Sequence, residues 1–282
     1  MKFSTKLTFW ALALLCFGVA QTFAQDDDEL SDPLNPTKAP SRLYIGPVAG
    51  LNRVFHTSEF QAIPAPFAGE TQLTCPTIQG GTATGYFFGI TAEYLLGDPK
   101  EAQSSIVSRV VFSSWPATFR EANQDEYPTR LPNSDEIVWS QTENYSEVKY
   151  QTIDLEAMYK LNLFGSRFGV SVGPTAGYVL TFQQRQEYNL LKPTNAQFIP
   201  NPEIDRSRYT NNDRTIVIRD GDVPETSPLR LGLKLGAHYE FMLRKLMIVP
   251  GLYYNQGILT ARSNESWRVN ALQPQLDVRY VF

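Results

Sequence analysis

The chain has 282 residues, of which 42% are hydrophobic and 19% are charged. Its 29 Asp and Glu residues outnumber its 25 Lys and Arg residues, and an acidic balance opposes a nucleic-acid-binding role, which usually needs a basic face. The two cysteines, Cys16 and Cys75, are too few for a disulfide-rich scaffold.

The first 24 residues have the features of a secretory signal peptide. Lys2 and Lys6 form a positive segment, residues 8–20 are apolar, and small residues precede Gln25. A retained membrane anchor is the alternative, but this apolar run is shorter than the ~20 residues that span a bilayer as a helix. We predict a cleaved signal peptide over residues 1–24 and an acidic periplasmic linker over residues 25–41.

From residue 42 onward, long segments place an apolar side chain at every second position, as β-strands with two different faces do. The segment from Leu229 to Phe241 alternates in this way throughout. Soluble strands usually have about five or six residues, whereas a tilted strand that crosses a membrane needs about nine to eleven. Eight strands are predicted, at residues 42–55, 84–96, 104–115, 148–164, 167–183, 229–241, 245–259 and 267–282.

The lengths of the connections alternate along the chain. The long polar connections lie at about 56–83, 117–145 and 184–227, and short turns separate the remaining strands up to the seventh. Outer-membrane barrels have short periplasmic turns and longer extracellular loops, whereas a soluble β-sandwich has no reason to sort loops in this way. The sequence therefore predicts an all-β fold, an eight-stranded antiparallel up-and-down transmembrane β-barrel over residues 42–282, with a bulge near Ala271–Leu272.

The polar faces of these strands predict the content of the barrel interior. An eight-stranded barrel is only wide enough for side chains to fill it. Five acids and five bases face inward by parity, and such a balance favours a salt-bridged plug over an ion-selective channel. With a histidine between them, the predicted charge network is Glu93, Arg109, Asp154, Glu156, Lys160, Arg230, Lys234, His238, Glu240, Asp277 and Arg279.

The carboxy-terminal strand ends in "LDVRYVF", with Val278, Tyr280 and Phe282 on one face. This ending resembles the signal by which barrel-assembly machinery recognises its substrates. The resemblance implies that this machinery is a partner of the chain during its insertion into the outer membrane.

Three segments carry a resemblance to a known family: "YIGPVAGLN" in the first strand, "VKYQTIDLEAMYKLNLF" in the fourth and "RFGVSVGPTAGYVL" in the fifth. Together with the signal ending in "FAQ", they make the chain similar to the PorT-like outer-membrane barrels of Bacteroidetes. The resemblance implies localisation in the outer membrane of a Gram-negative bacterium. It also points to a role in protein export, since some relatives take part in type IX secretion.

Few residues suggest chemistry. His56 and Ser58 have the spacing of a His-x-Ser pair, but a nucleophilic serine needs an oriented base and, for a lipid substrate, a lipid-facing position. His238 lacks a second His or Cys at ligand spacing, so it is interpreted as a hydrogen-bonded interior residue. No catalytic, cofactor or metal site is predicted, and Cys75 is interpreted as an unused loop thiol.

Three functions remain as hypotheses. The first is a non-enzymatic outer-membrane barrel with a structural or protein-export and assembly role, whose partners are membrane lipids and a protein bound by the extracellular loops. The second is a small-solute conduit or ligand-binding barrel. The third is a lipid-modifying enzyme.

Overall fold

The computed structural model describes residues 42–61, 77–97, 102–131, 137–200, 204–243, 245–262 and 266–281. The predicted signal peptide, the predicted linker, Cys75 and Phe282 lie outside these residues. No helix in the described part of the chain is long and apolar enough to cross a membrane.

The described chain is all-β, as predicted, and its helical segments are two short 3₁₀ turns, Leu163–Gly165 and Arg206–Arg208. The twelve strands are β1 Leu43–Gln61, β2 Thr77–Leu96, β3 Ser104–Ser114, β4 Ala117–Arg130, β5 Ile137–Asn162, β6 Phe168–Lys192, β7 Tyr209–Thr210, β8 Thr215–Asp222, β9 Leu229–Tyr239, β10 Phe241–Leu243, β11 Leu246–Gly257 and β12 Arg268–Val281.

Backbone pairing closes eight of these strands into a ring. The order around the ring is β5–β3–β2–β1–β12–β11–β9–β6, and the pairing of β6 with β5 closes it. Every pair is antiparallel. Among the ring strands alone, each one pairs with the next along the chain, and the first and last, β1 and β12, pair with each other. An antiparallel sheet is therefore confirmed. The ring has eight strands, but eight is not confirmed as the strand count, because the described chain has four strands besides those of the ring.

The predicted long loops at 117–145 and 184–227 are largely strands. β4 continues the line of β3 after a break at Trp115 and Pro116, and both strands pair with β5. β5 and β6 have 26 and 25 residues and pair with each other beyond the ring. We call this extension the arm: it consists of β4, β7, β8 and the parts of β5 and β6 that pair with β4 and β8.

Two finer expectations are also wrong. β12 pairs with β1 and β11 without a register shift, so the described strand has no bulge at Ala271–Leu272. The sequence looked shifted in phase there because Trp267, Val269 and Ala271 are apolar and yet buried in the interior. The sixth predicted strand is divided at Glu240 into β9 and β10.

The outer wall of the ring is apolar. On β2, for example, Phe88 and Ile90 are 55% and 63% exposed, whereas Phe87, which precedes Phe88 and faces the interior, is buried. The exposed side chains of the wall form what we call the apolar belt: Leu43, Leu51, Phe55, Tyr86, Phe88, Ile90, Tyr94, Ile106, Val110, Ile153, Leu155, Tyr159, Phe168, Val170, Val172, Tyr178, Leu180, Leu229, Leu231, Leu233, Leu235, Tyr239, Leu246, Leu252, Tyr254, Leu272, Leu276 and Tyr280.

Side chains fill the interior of the ring in two layers. A charged layer lies towards the end where β5 turns into β6. An aromatic layer lies towards the arm and contains Val54, Trp115, Ala117, Phe119, Val148, Tyr150, Phe182, Val223, Ala261, Trp267, Val269 and Ala271. The arm has a separate apolar cluster of its own, formed by Tyr188, Leu190, Ala196, Phe198, Tyr209 and Ile216.

Candidate functional site in the barrel interior

Glu93 is the centre of the first group of charges. It lies on β2 and is fully buried. Its carboxylate accepts a hydrogen bond from Lys160 Nζ at 2.5 Å, and also contacts the guanidinium of Arg279 and the hydroxyl of Ser105. Because Lys160 also pairs with Glu240, which lies between β9 and β10, two acids and two bases compensate one another here. A buried charge is tolerated only with such compensation.

Arg109 on β3 joins this group to a second one. Its Nη2 donates to Asp277 Oδ2 at 2.8 Å and its Nη1 donates to Glu156 Oε2 at 3.3 Å. Asp277 also accepts from Arg279 Nη2 at 2.5 Å, which links the two groups. Lys234 completes the second group, since its Nζ lies 2.8 and 2.9 Å from the two oxygens of Glu156.

Aromatic rings lie over two of the cations of this layer. The guanidinium carbon of Arg109 lies 5.3 Å from the ring centre of Tyr253, and Lys234 Nζ lies 5.1 Å from that of Phe87. Such contacts are favourable when the cation is desolvated. The Tyr253 ring fits because Gly236 stands beside it, where a Cβ would come within 2.5 Å of the ring.

His238 lies at the edge of the charged layer. Its Nδ1 is 3.3 Å from Ser171 Oγ, its Nε2 is 3.4 Å from Asn162 Oδ1, and Glu240 is 4.0 Å away. A cavity of about 160 Å³ is lined by its neighbours Asn162 and Glu240, together with Lys160 and Met247. The position agrees with a hydrogen-bonded interior residue, and no group of three metal-ligating side chains occurs among the described residues.

Two predicted members of the charge network stand apart from it. The side chain of Asp154 is buried beside the hydroxyls of Ser113 and Thr152 and the charge of Arg230, and it takes part in none of the ion pairs described above. Arg230 donates to Asn255 Oδ1 at 2.9 Å, and its guanidinium stacks 4.1 Å above the ring centre of Trp115. Arg230 therefore belongs to the boundary with the aromatic layer.

The aromatic layer was missed by the sequence reasoning. His56 lies at its centre, with Phe119 and Trp267 in edge-to-face contact at 6.1 and 5.9 Å. Phe119 can approach because it lies over Gly81, where a Cβ would come within 2.7 Å of the ring. One signal was present: three inward positions of the last strand, at 267, 269 and 271, are all apolar.

The surroundings of His56 decide what its ring can do. Trp267 Nε1 donates to His56 Nδ1 at 2.9 Å, so His56 Nε2 carries the proton and donates to the carbonyl of Trp115 at 3.1 Å. Both ring nitrogens are therefore engaged, and neither has a lone pair available to activate a nucleophile. The side chain of Ser58 lies outside the described residues.

The predicted assembly signal is described in part. Tyr280 is 42% exposed on the outer wall, and Val278 lies half-buried on the same face of β12.

No family model matches the chain, and no curated protein matches it significantly. Among solved structures, a neisserial surface protein (NspA) is similar, with 14% identity, a TM-score of 0.33 and coverage of 87% of this chain and 100% of that one. The attachment invasion locus protein of Yersinia pestis (Ail) shares 9% identity, alone (TM-score 0.32, 84% and 98% covered) and with the heparin analogue sucrose octasulfate (0.30, 85% and 99%). TM-scores this low do not establish a shared fold or an activity.

Proposed function

We propose that the chain is an integral outer-membrane barrel with a closed interior, which has no enzymatic activity and acts through its arm. The proposal rests on one observation: apolar side chains lie on the outside of the ring and charged side chains lie on the inside. The eight-stranded ring exposes an apolar belt on the outside and buries charges such as Glu93, Arg109 and Lys234 on the inside. Lipid on the outer wall accounts for this arrangement, since a closed ring satisfies every backbone group within hydrocarbon.

The two interior layers support a sealed lumen over a conduit. Ion pairs cross the charged layer from β2, β3, β5, β9 and β12, and the aromatic layer packs Trp115, Phe119 and Trp267 against one another above it. A selective pore would need a continuous water path and, in general, an excess of one charge. The paired acids and bases favour a structural plug instead.

The arm is the part of the molecule that we propose to contact a partner. It stands on the side of the ring away from the short turns, which is the extracellular side if the topology follows the usual pattern of outer-membrane barrels. Its own apolar cluster gives it a fixed shape, and a rigid surface on a barrel suits recognition. The resemblance to PorT-like barrels supports an accessory role in protein export or assembly, with insertion by the barrel-assembly machinery through β12.

Two measurements test the proposal. Cell fractionation should place the full chain in the outer membrane, and the unheated protein should migrate differently from the heated protein in a gel, as folded barrels do. In planar bilayers, the purified protein should give no steady conductance. Recovery in the soluble fraction would contradict the membrane assignment, whereas steady open channels would contradict the sealed lumen and favour the conduit.

A further inference from the structure

The apolar belt is interrupted on one side of the ring by an outward-facing arginine. On β1 the outward side chains run through Leu43 and Leu51 and then reach Arg53, which is exposed. Leu51 is paired with Tyr86 of β2, and Arg53 with Leu272 of β12, so the belt lies directly beside and below the guanidinium. One more apolar side chain, Phe55, is exposed beyond Arg53 before Thr57 is reached, so Arg53 lies one outward position inside the edge of the belt that faces the arm.

The guanidinium of Arg53 is held against the outer wall. Its Nη1 donates to Thr84 Oγ1 at 3.3 Å and its Nη2 donates to Thr82 Oγ1 at 3.4 Å. Both threonines are exposed on the outward face of β2. These bonds use two of the five N–H groups of the guanidinium and fix its plane, so the remaining donors point away from the threonines.

A second arginine stands on the same face of the wall. Arg268 of β12 is exposed and is paired with Thr57 of β1, while Arg53 is paired with Leu272. Four residues of strand therefore separate the levels of the two arginines, which is roughly 13 Å. The described outward side chains around them are Thr57, Thr82, Thr84 and Asn270, with the apolar Phe55 between the levels of the two arginines, and none of the outward side chains described on β1, β2 and β12 is a carboxylate.

We propose that Arg53 and Arg268, with Thr82 and Thr84, form a binding site for the phosphate groups of a phosphorylated lipid in the outer leaflet. This inference rests on the proposed membrane location. Arginine binds phosphate through charge-assisted, often bidentate hydrogen bonds. The site lies at the edge of the belt, where the headgroups of lipids whose chains cover Leu51, Tyr86 and Leu272 would lie. Two basic points at this spacing suit a lipid headgroup with two separated phosphates.

The test uses the full chain in detergent micelles and titrates it with lipid A, followed by native mass spectrometry. The variant is R53Q/R268Q, which keeps polar side chains on an exposed surface. The matched control is R120Q, an exposed arginine of the arm that stacks on Tyr145 at 5.1 Å. We expect lipid A to bind the wild type and R120Q equally, and to bind the double variant at least tenfold more weakly, since each lost charged hydrogen bond costs roughly this factor.

Two further probes identify the ligand. Dephosphorylated lipid A should bind the wild type as weakly as lipid A binds the double variant, and inorganic phosphate should not bind measurably. Equal binding of the two lipids, or unchanged binding by R53Q/R268Q, would overturn the site. Tight binding of inorganic phosphate alone would overturn the assignment to a lipid. The proposed function fails separately, because it is judged by fractionation and by heat-dependent gel migration.

Discussion

A single buried lysine shows how the charged layer is stabilised. Lys234 is completely buried, and both Glu156 oxygens lie within 2.9 Å of its ammonium group. We predict that K234M destabilises the barrel by about 3–5 kcal/mol. The buried Glu156 would then keep only its 3.3 Å ion pair with Arg109. The measurement is the urea midpoint of unfolding, followed by gel migration without heating.

Two controls separate burial from charge in this experiment. R185M removes a cation whose side chain is 47% exposed and pairs with Glu187, so the expected loss is under about 1 kcal/mol. K234M/E156Q removes both partners of the buried pair and should recover part of the stability. An unchanged urea midpoint for K234M would show that the pair contributes nothing to the fold.

For single residues, alternation along each strand predicted which side of the wall a side chain occupies. It did not predict which other residues that side chain contacts. Lys234 and Glu156 are 78 residues apart, and their contact depends on which strands oppose one another across the ring. The same parity put Asp154 in the network, yet the structure places it beside Ser113, Thr152 and Arg230, where it joins none of the ion pairs of the charged layer. A residue's side of a strand is a local property, whereas its neighbours depend on barrel closure.

The strands of the arm are the elements that the sequence described least well. β4 reads "ATFREANQDEYPTR" and was interpreted as a loop, because its residues beyond Phe119 do not alternate between apolar and polar. Alternation is strong where the two faces of a strand differ in polarity, whereas the part of β5 in the arm is polar on both faces, as at Ser146 and Glu147. The ring strands gave a clear signal for the same reason, and the aromatic layer blurred it at Val269 and Ala271.

We predict that the arm can unfold while the ring stays folded. Tyr188 of β6 is buried in the cluster of the arm, where it bonds Thr142 Oγ1 at 2.7 Å and stacks on Phe198 at 5.7 Å. Y188A should cost about 3–5 kcal/mol within that cluster. Trypsin should then cleave the arm faster, for example at Arg208, while the unheated protein keeps its folded migration in gels.

The control for this variant is Y178A on the same strand. Tyr178 belongs to the belt and is 59% exposed, so its loss should leave the cleavage of the arm unchanged. Loss of the folded migration in Y188A would instead show that the arm and the ring unfold as one cooperative unit.

Bulk composition does not reveal which solvent surrounds the whole molecule. Its mean hydropathy of −0.27 would suit a soluble protein. In a barrel wall every second residue faces the interior, and these polar residues lower the mean hydropathy. What distinguishes the chain is the arrangement: an exposed apolar belt outside and compensated charges inside. Either the belt faces lipid, or a soluble barrel exposes an apolar surface far larger than the patches usual on soluble monomers.

A pair of arginine substitutions on the outer wall separates these alternatives. Ile90 lies in the middle of the belt on β2, between Tyr86 and Tyr94, and is 63% exposed. If lipid covers the belt, I90R should destabilise the barrel in phospholipid vesicles by about 2–4 kcal/mol, and Q256R, at the outward position beyond Tyr254 on β11, by at most about 1 kcal/mol. Unfolding by urea in vesicles gives both values. If water covers the wall, neither arginine is buried, so I90R should match Q256R and improve solubility, and the membrane assignment would be wrong.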